Sequence, residues 1–313
     1  MSSQARQLAE RLGPVGVWLN VLAEVPAAEA MAAAEQIERL GYGGLWVGES
    51  PTDKEVFTHA GLLLGATSRI TIATAVATIW GRDAIAANAA ALTLGEAYPG
   101  RFVLGIGASH REVDRGTGHD KPLTAVREYL DALDAASYRG PRPARPVPRV
   151  LAALGPKMQE LARDRSVGMH SFFVPPAHTA SARRRLGPSP LLVPEQAVVI
   201  DADPASARKT AREHVATRLA LRNYVNHLRA LGFSDADLAG DGSNRLVDSL
   251  VACGDAQAVA ARIREHHDAG ADHVAVHPLT PRGAGPHRVL EQLRELSGVL
   301  TQSSLRTGQE VRR

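Results

Sequence analysis

The stretch TAVATIWGRDAIAANAAALTLGEAYPGRFVLGIGASH, from Thr74 to His110, holds a strand end, a helix, a turn and a second strand in that order. Its first residues complete ITIATAVATI (Ile70 to Ile79), where β-branched side chains favour extended backbone. Asp83 then offers a carboxylate to the amides that open an Ala-rich helix running to Tyr98. Pro99-Gly100 ends that helix and turns the chain. RFVLGIG (Arg101 to Gly107) follows, a run with no polar alternation after Arg101, the pattern of a parallel strand covered on both faces. Strand, crossover helix and strand in succession make the unit from which parallel sheets are built.

The same unit recurs in both directions. GVWLN (Gly16 to Asn20) leads past Pro26 into an Ala-rich helix ending at Leu40, with Gly41 as its C-cap, and GGLWV (Gly43 to Val47) leads into a helix around His59 to Thr67. Downstream, a polar loop precedes a helix from Leu123 to Tyr138, and a Pro/Arg linker precedes VLAAL (Val150 to Leu154). Gly155-Pro156 opens a helix toward Asp164, GMHSFFV (Gly168 to Val174) is the sixth strand, and Pro175-Pro176 opens another helix. EQAVVIDAD (Glu195 to Asp203) is the seventh strand, Pro204 starts a helix, several helices fill the chain to Ala269, and HVAVHPL (His273 to Leu279) is the eighth. Eight strands of this kind predict one α/β domain over residues 15–300, a (β/α)8 TIM barrel with extra helices before its last strand. Residues 1–14 are an N-terminal extension, and the polar residues 301–313 read as a disordered tail. A doubly wound sheet fits less well, because its glycine fingerprint follows the first strand, whereas Gly105 and Gly107 follow the fourth and lack the third glycine.

Charge and composition remove several functional classes. Lys and Arg number 36 against 33 Asp and Glu, and aromatic residues are 4% of the chain, so the clustered basic face with interleaved aromatics of a nucleic-acid protein is not present. The tightest basic run, Arg183 to Arg185, reads as a solvated helix face. Cys253 is the only cysteine, which rules out an internal disulfide. No segment reaches the ~18 uninterrupted apolar residues of a membrane span, and the amino terminus has no export signal. These features point to a cytoplasmic protein with no membrane and no nucleic-acid partner.

Thr74 to His110 as a block resembles the luciferase-like monooxygenase superfamily, which includes flavin monooxygenases and coenzyme F420-dependent oxidoreductases. Supporting matches are GYGGLWVGES (Gly41 to Ser50), ALGPKMQELARDRSVGMHSFFVPPAHTA (Ala153 to Ala180) and LVACGDAQAVAARIREHHDAGADHVAVH (Leu250 to His277). The ALGP turn and the final Gly-Asp helix followed by AGADHV are more similar to the F420-dependent branch. The resemblance implies hydride transfer between F420 and a small organic substrate, with FMN and oxygen as the nearest alternative. It also implies a homodimer, and a non-prolyl cis peptide at Ala75-Val76 that backs the cofactor ring.

A barrel places its active site at the carboxyl ends of the strands, so the residues just after each strand are the functional candidates. His110, after the fourth strand, is the first acid/base candidate because imidazole titrates near neutral pH, and a salt-bridged loop histidine is the competing reading. Glu49 is the second. Where much of the family carries an acidic residue followed by His, this chain has Glu49-Ser50, so an expected acid/base group is missing and Glu49 is open to bonding the ring or a neighbouring strand end. The resemblance assigns the cofactor to Thr74, Ala75, Val76, Gly107, Ala108 and Ser109, where glycine permits close approach. A cofactor phosphate favours a helix amino terminus. Two are offered, one at Gly155 and one at Pro176 with His178 and Thr179, for which plain helix capping is the other reading.

Trp18, Trp80 and Arg82 are assigned to the substrate pocket, with the loops Arg111 to Lys121 and Leu186 to Pro194 as its variable rim. His277 follows the last strand and is a further candidate. Neither HExxH nor a paired Cys/His spacing occurs, so no metal is expected. A barrel aldolase needs a Schiff-base lysine, and no strand ends on one. A cofactor-binding homologue without catalysis stays open, given Ser50 in place of histidine.

Overall fold

The computed structural model describes residues 2–110, 121–281 and 283–310. The barrel is closed and parallel. Its strands are β1 (Val15–Leu19), β2 (Gly44–Val47), β3 (Thr71–Thr74) continued by β4 (Ala77–Thr78), β5 (Phe102–Gly107), β6 (Arg149–Ala152), β7 (Gly168–Ser171) and β8 (Leu191–Ile200). After β9 (Val251–Gly254), β10 (Val274–Pro278) pairs with both β8 and β1 and closes the ring. Every residue of β1, β2, β5, β8 and β10 is buried, as a strand flanked by side-chain layers on both faces requires.

The helices are α1 (Ser3–Leu12), α2 (Val21–Glu24), α3 (Ala27–Arg39), α4 (Val56–Ala66), α5 (Ala84–Ala97), α6 (Pro122–Ala135) and α7 (Pro156–Arg165). They continue with α8 (Pro176–Leu186), α9 (Pro204–Leu219), α10 (Arg222–Ala230), α11 (Asp235–Leu238), α12 (Asn244–Leu250), α13 (Ala256–Asp268) and α14 (Gly285–Glu310). Asp83 caps α5 as expected, accepting from the Ala86 amide at 2.8 Å. α14 runs on through residues 301–310, where the sequence reads as a disordered tail. Among the described residues no helix is long and apolar enough to cross a membrane.

The Ala75-Val76 peptide is cis, as the family resemblance implies; the third strand breaks there after Thr74 and resumes as β4, which pairs with β5 at Ala77 and Ile106. Three further features add to or shift the sequence reading. The extension before β1 is a helix whose Ala5, Leu8 and Leu12 are buried in one cluster with Trp46, Val103, Leu191, Val193 and Ala275, filling the amino end of the barrel. β8 begins at Leu191, upstream of the expected Glu195, because Pro194 sits inside the strand instead of ending the loop before it. Finally, the helices expected before the last strand are interrupted by β9, which pairs with the carboxyl end of β8.

The β8 boundary corrects one functional assignment. Leu186 to Pro194 joins α8 to the amino end of β8, on the opposite face from the strand carboxyl ends, so it does not rim the pocket. Residues 111–120 of the other assigned loop lie outside the described residues. The mouth is covered instead by the helical insertion after β8: Val215, Tyr224, Leu228, Leu246 and Leu250 pack with Phe173 and Val199 into a second apolar cluster over the end of that strand.

Candidate active site

The strand carboxyl ends and the helices α9 and α10 enclose a cavity of about 1080 Å³. One wall is built from small apolar side chains, Ala75, Val76, Ala108 and Ala152, joined by Leu154. Its closeness to β5 has a packing cause. A Cβ on Gly105 would stand 1.8 Å from the Thr74 carbonyl oxygen, and one on Gly107 would stand 2.6 Å from Val76 Cγ2 and 2.9 Å from Ala152 Cβ. The two glycines therefore let the break in the third strand lie directly on β5, and neither Gly105 nor Gly107 lines the cavity. Thr74 is likewise buried: its Oγ1 donates to the Gly105 carbonyl at 2.7 Å and accepts from the Gly105 amide at 2.9 Å. Trp18 reaches across from β1 and donates its indole N–H to the Ala75 carbonyl at 3.2 Å, so the wall is held from both sides.

Ser109 takes a left-handed backbone conformation, φ 52°, which turns the chain after β5 and delivers His110 to the cavity. His110 Nδ1 stands 2.9 Å from Asn223 Oδ1, and its ring packs on Tyr224 at 4.8 Å. With the Asn223 amide oxygen accepting, the His110 ring N–H in this contact is on Nδ1.

Glu49, Arg82 and Trp80 are drawn into structural roles outside the cavity lining. Glu49 accepts from the Thr78 amide at 2.7 Å and pairs through both oxygens with Arg82. The Arg82 guanidinium also meets Glu55 at 3.1 Å and lies over the Phe57 ring. Trp80 donates to the Ala108 carbonyl at 2.6 Å. These contacts tie the ends of β2, β4 and β5 together.

The two helix amino termini separate as sharply. Gly155, Pro156, Lys157 and Met158 at the start of α7 face the cavity, whereas Pro176, His178 and Thr179 at the start of α8 do not line it. Thr179 is fully buried and bonded to His266 Nδ1 at 2.8 Å, and His266 Nε2 is 2.9 Å from Gln196 Oε1. His178 packs edge-on against His227, and burial holds its pKa down at about 3.

Several lining residues escaped the sequence reading. Arg218, Asn223, Tyr224 and His227 come from the insertion helices, where their spacing looks like any amphipathic surface, and His170 and Phe172 come from β7 and its end. Below Phe172 lies a buried pair in which the Glu195 carboxylate accepts from His277 Nδ1 at 2.9 Å and from the Phe173 amide at 3.0 Å. His277 packs under Trp18 with ring centroids 4.4 Å apart. Ligand atoms of Glu195, His214 and His277 lie within 4.8 Å of one another, but Arg218 is close enough to depress the pKa of both histidines, and its positive charge disfavours a cation there.

A parallel barrel with a large, mostly apolar cavity at its carboxyl mouth is the setting in which this architecture places ligand sites. The family model for luciferase-like monooxygenases matches residues 12–273, and the chain belongs to that family. The chain is 25% identical over 292 residues to the 5,10-methylenetetrahydromethanopterin reductase of Methanolobus tindarius, a match spanning 79% of this chain and 90% of that protein. Two solved structures share the fold. An F420-dependent secondary alcohol dehydrogenase in complex with an F420-acetone adduct superposes with a TM-score of 0.70 at 16% identity, covering 90% of this chain and 97% of that one. The oxygenating constituent of 3,6-diketocamphane monooxygenase from Pseudomonas putida, in complex with FMN, superposes with a TM-score of 0.63 at 14% identity, covering 91% and 96%.

Proposed function

We propose that this chain is an oxidoreductase that holds F420 in the cavity and passes a hydride between it and a small organic substrate. The observation that carries the reading is the wall of small apolar side chains, Ala75, Val76, Ala108 and Ala152, facing a volume of about 1080 Å³. A tricyclic ring needs such a slot, and the volume is at the upper end of what one drug-sized ligand fills, so a substrate has room beside it. The ALGP turn and the Gly-Asp helix followed by AGADHV, more similar to the F420-dependent branch of the family, support the deazaflavin over FMN.

When bound, F420 supplies a two-electron hydride carrier. The chain's own residues supply the setting. Val76 and Ala75 back the ring, with Trp18 fixing the Ala75 carbonyl. Ala108 and Ser109 border it, and the positive end of α7 with Lys157 takes the phosphate. Trp18 and Phe172 exclude water from the floor. His110, held by Asn223 at the cavity wall, would give or take the proton that a substrate heteroatom needs.

Titration with F420 and with FMN, read by quenching of tryptophan fluorescence, tests the reading. Micromolar saturation by F420 is the expected result, and His110→Gln is expected to keep that affinity while losing turnover. Saturation by FMN alone moves the chain to the flavin side of its family, and saturation by neither refutes the cofactor assignment.

A further inference from the structure

Among the described residues the cavity is lined by two cationic side chains, Lys157 at the start of α7 and Arg218 in the last turn of α9. The cofactor phosphate accounts for the first. Arg218 has no such role. Its guanidinium lies 5.6 Å from the centre of the Phe172 ring, and Nη1 donates to Thr217 Oγ1 at 2.8 Å. Among the described residues it forms no ion pair, whereas the comparably buried Arg82 and Arg183 are matched by Glu49 and by Asp272. The buried Glu195 carboxylate is already committed to His277 Nδ1 and the Phe173 amide. His214, one turn earlier on α9, and His277 are both held neutral by burial, and Tyr224 keeps its phenol proton for the same reason. Arg218 thus faces an aromatic corner whose one carboxylate, Glu195, is already bonded to His277 and Phe173.

A partly buried guanidinium without an ion-pair partner can take a ligand carboxylate through two parallel charge-assisted hydrogen bonds. The surroundings select the rest of the ligand. Phe172, Tyr224 and Leu221 line the cavity around Arg218 and offer apolar contact. Resting on the reading of this cavity as a cofactor-and-substrate site, we propose that the substrate is an apolar or aromatic organic acid whose carboxylate is held by Arg218. Position favours the substrate over the cofactor phosphate. Phe172 packs on Trp18 at 4.9 Å, and Trp18 is bonded to Ala75 in the ring-backing wall, so Arg218 stands over that end of the cavity, whereas the α7 terminus belongs to the β6 side.

The test uses phenylacetate and its neutral isostere phenylacetamide, titrated by tryptophan fluorescence into cofactor-free and cofactor-loaded chain. Wild type is expected to prefer the acid by roughly tenfold or more, the value of a charge-assisted pair. Arg218→Gln is expected to erase that preference and Arg218→Lys to retain part of it, with far-UV circular dichroism confirming that both variants fold. Equal affinity for acid and amide, no saturable binding of phenylacetate, or an acid preference that survives in Arg218→Gln overturns the proposal. So does a loss of F420 or FMN affinity in Arg218→Gln with riboflavin binding unchanged, which would hand the guanidinium to the cofactor phosphate. An Arg218-dependent acid preference in a chain that binds neither cofactor supports the acid site and removes only the cofactor reading.

Discussion

Replacing Glu49 by Gln separates a structural acid from a catalytic one. The Glu49 side chain is 7% exposed and that of Arg82 13%, so the pair lies in the regime where removing one charge strands the other. Breaking a buried pair costs about 3–5 kcal/mol. Two features reduce the figure here: a Gln side-chain oxygen can still accept from the Thr78 amide, and Arg82 keeps Glu55 at 3.1 Å. The expected loss is about 2 kcal/mol, a sizeable fraction of a stability of ~5–15 kcal/mol. Urea unfolding followed by circular dichroism reads it as a lowered midpoint at unchanged slope. A cycle with Arg82→Gln is expected to show coupling of about 1–2 kcal/mol, since the two residues share one contact. Cofactor affinity is expected to stay within about threefold of wild type, because Glu49 does not line the cavity. A variant that unfolds at the wild-type midpoint yet loses cofactor binding or turnover a hundredfold would falsify the structural role and return Glu49 to the chemistry.

Gly105→Ala drives a Cβ to 1.8 Å from a backbone carbonyl that cannot swing aside, and is expected to cost 3 kcal/mol or more, about the upper range for overpacking. Gly155→Ala, with open space around its Cβ and φ −78°, is the matched control, expected within about 0.5 kcal/mol of wild type, and equal urea midpoints for the two refute the packing account. His59, His170 and His273 are held at about 4 and His266 at about 3, each chiefly by burial. Because these folded values lie below the unfolded ~6.5, the unfolded chain binds more protons in between, so stability is complete above that pH and falls as pH drops through the window, by up to roughly 3–5 kcal/mol per histidine. A urea midpoint that is flat from pH 7 to pH 5 contradicts this. Burial, with Asp248 nearby, pushes the Cys253 thiol up to about 11, so its reaction with a disulfide reagent at pH 8 is expected to trail a free thiol at least tenfold until urea is added.

What was legible in the sequence was what repeats. Strand and helix alternation gave the barrel because each buried strand is a short apolar run with a distinct cap or proline after it, as at Asp83 and Pro156. The break in the third strand was visible only through family resemblance, since Ala75-Val76 is as suited to a regular strand as to a bulge. β9 was missed because Val-Ala-Cys-Gly is too short to separate from the end of a helix. Of the residues the strand-end rule selected, His110, Ala108, Ser109 and Gly155 line the cavity, whereas Glu49, His178 and Thr179 face other partners. The rule knows where a strand ends and not which way a side chain turns. Arg218 and Tyr224 lay beyond it altogether, on helices folded back over the mouth from a segment with no strand to anchor the reading.

The helix α1 that fills the amino end of the barrel has a bearing on how this chain is made. Its seat is completed by partners scattered across the whole length: Gly13 accepts from His273 Nδ1 at 2.7 Å, and the Val274 amide donates to Pro14. During synthesis, residues 3–12 leave the ribosome early but find their final cover only after residue 274 has emerged. At ~5–20 residues per second this leaves the apolar face of Leu8 and Leu12 waiting for some ten seconds or longer. A nascent-chain binder is most needed over that interval, and a version of the gene that began with β1 and carried α1 after α14 would shorten the wait to almost nothing.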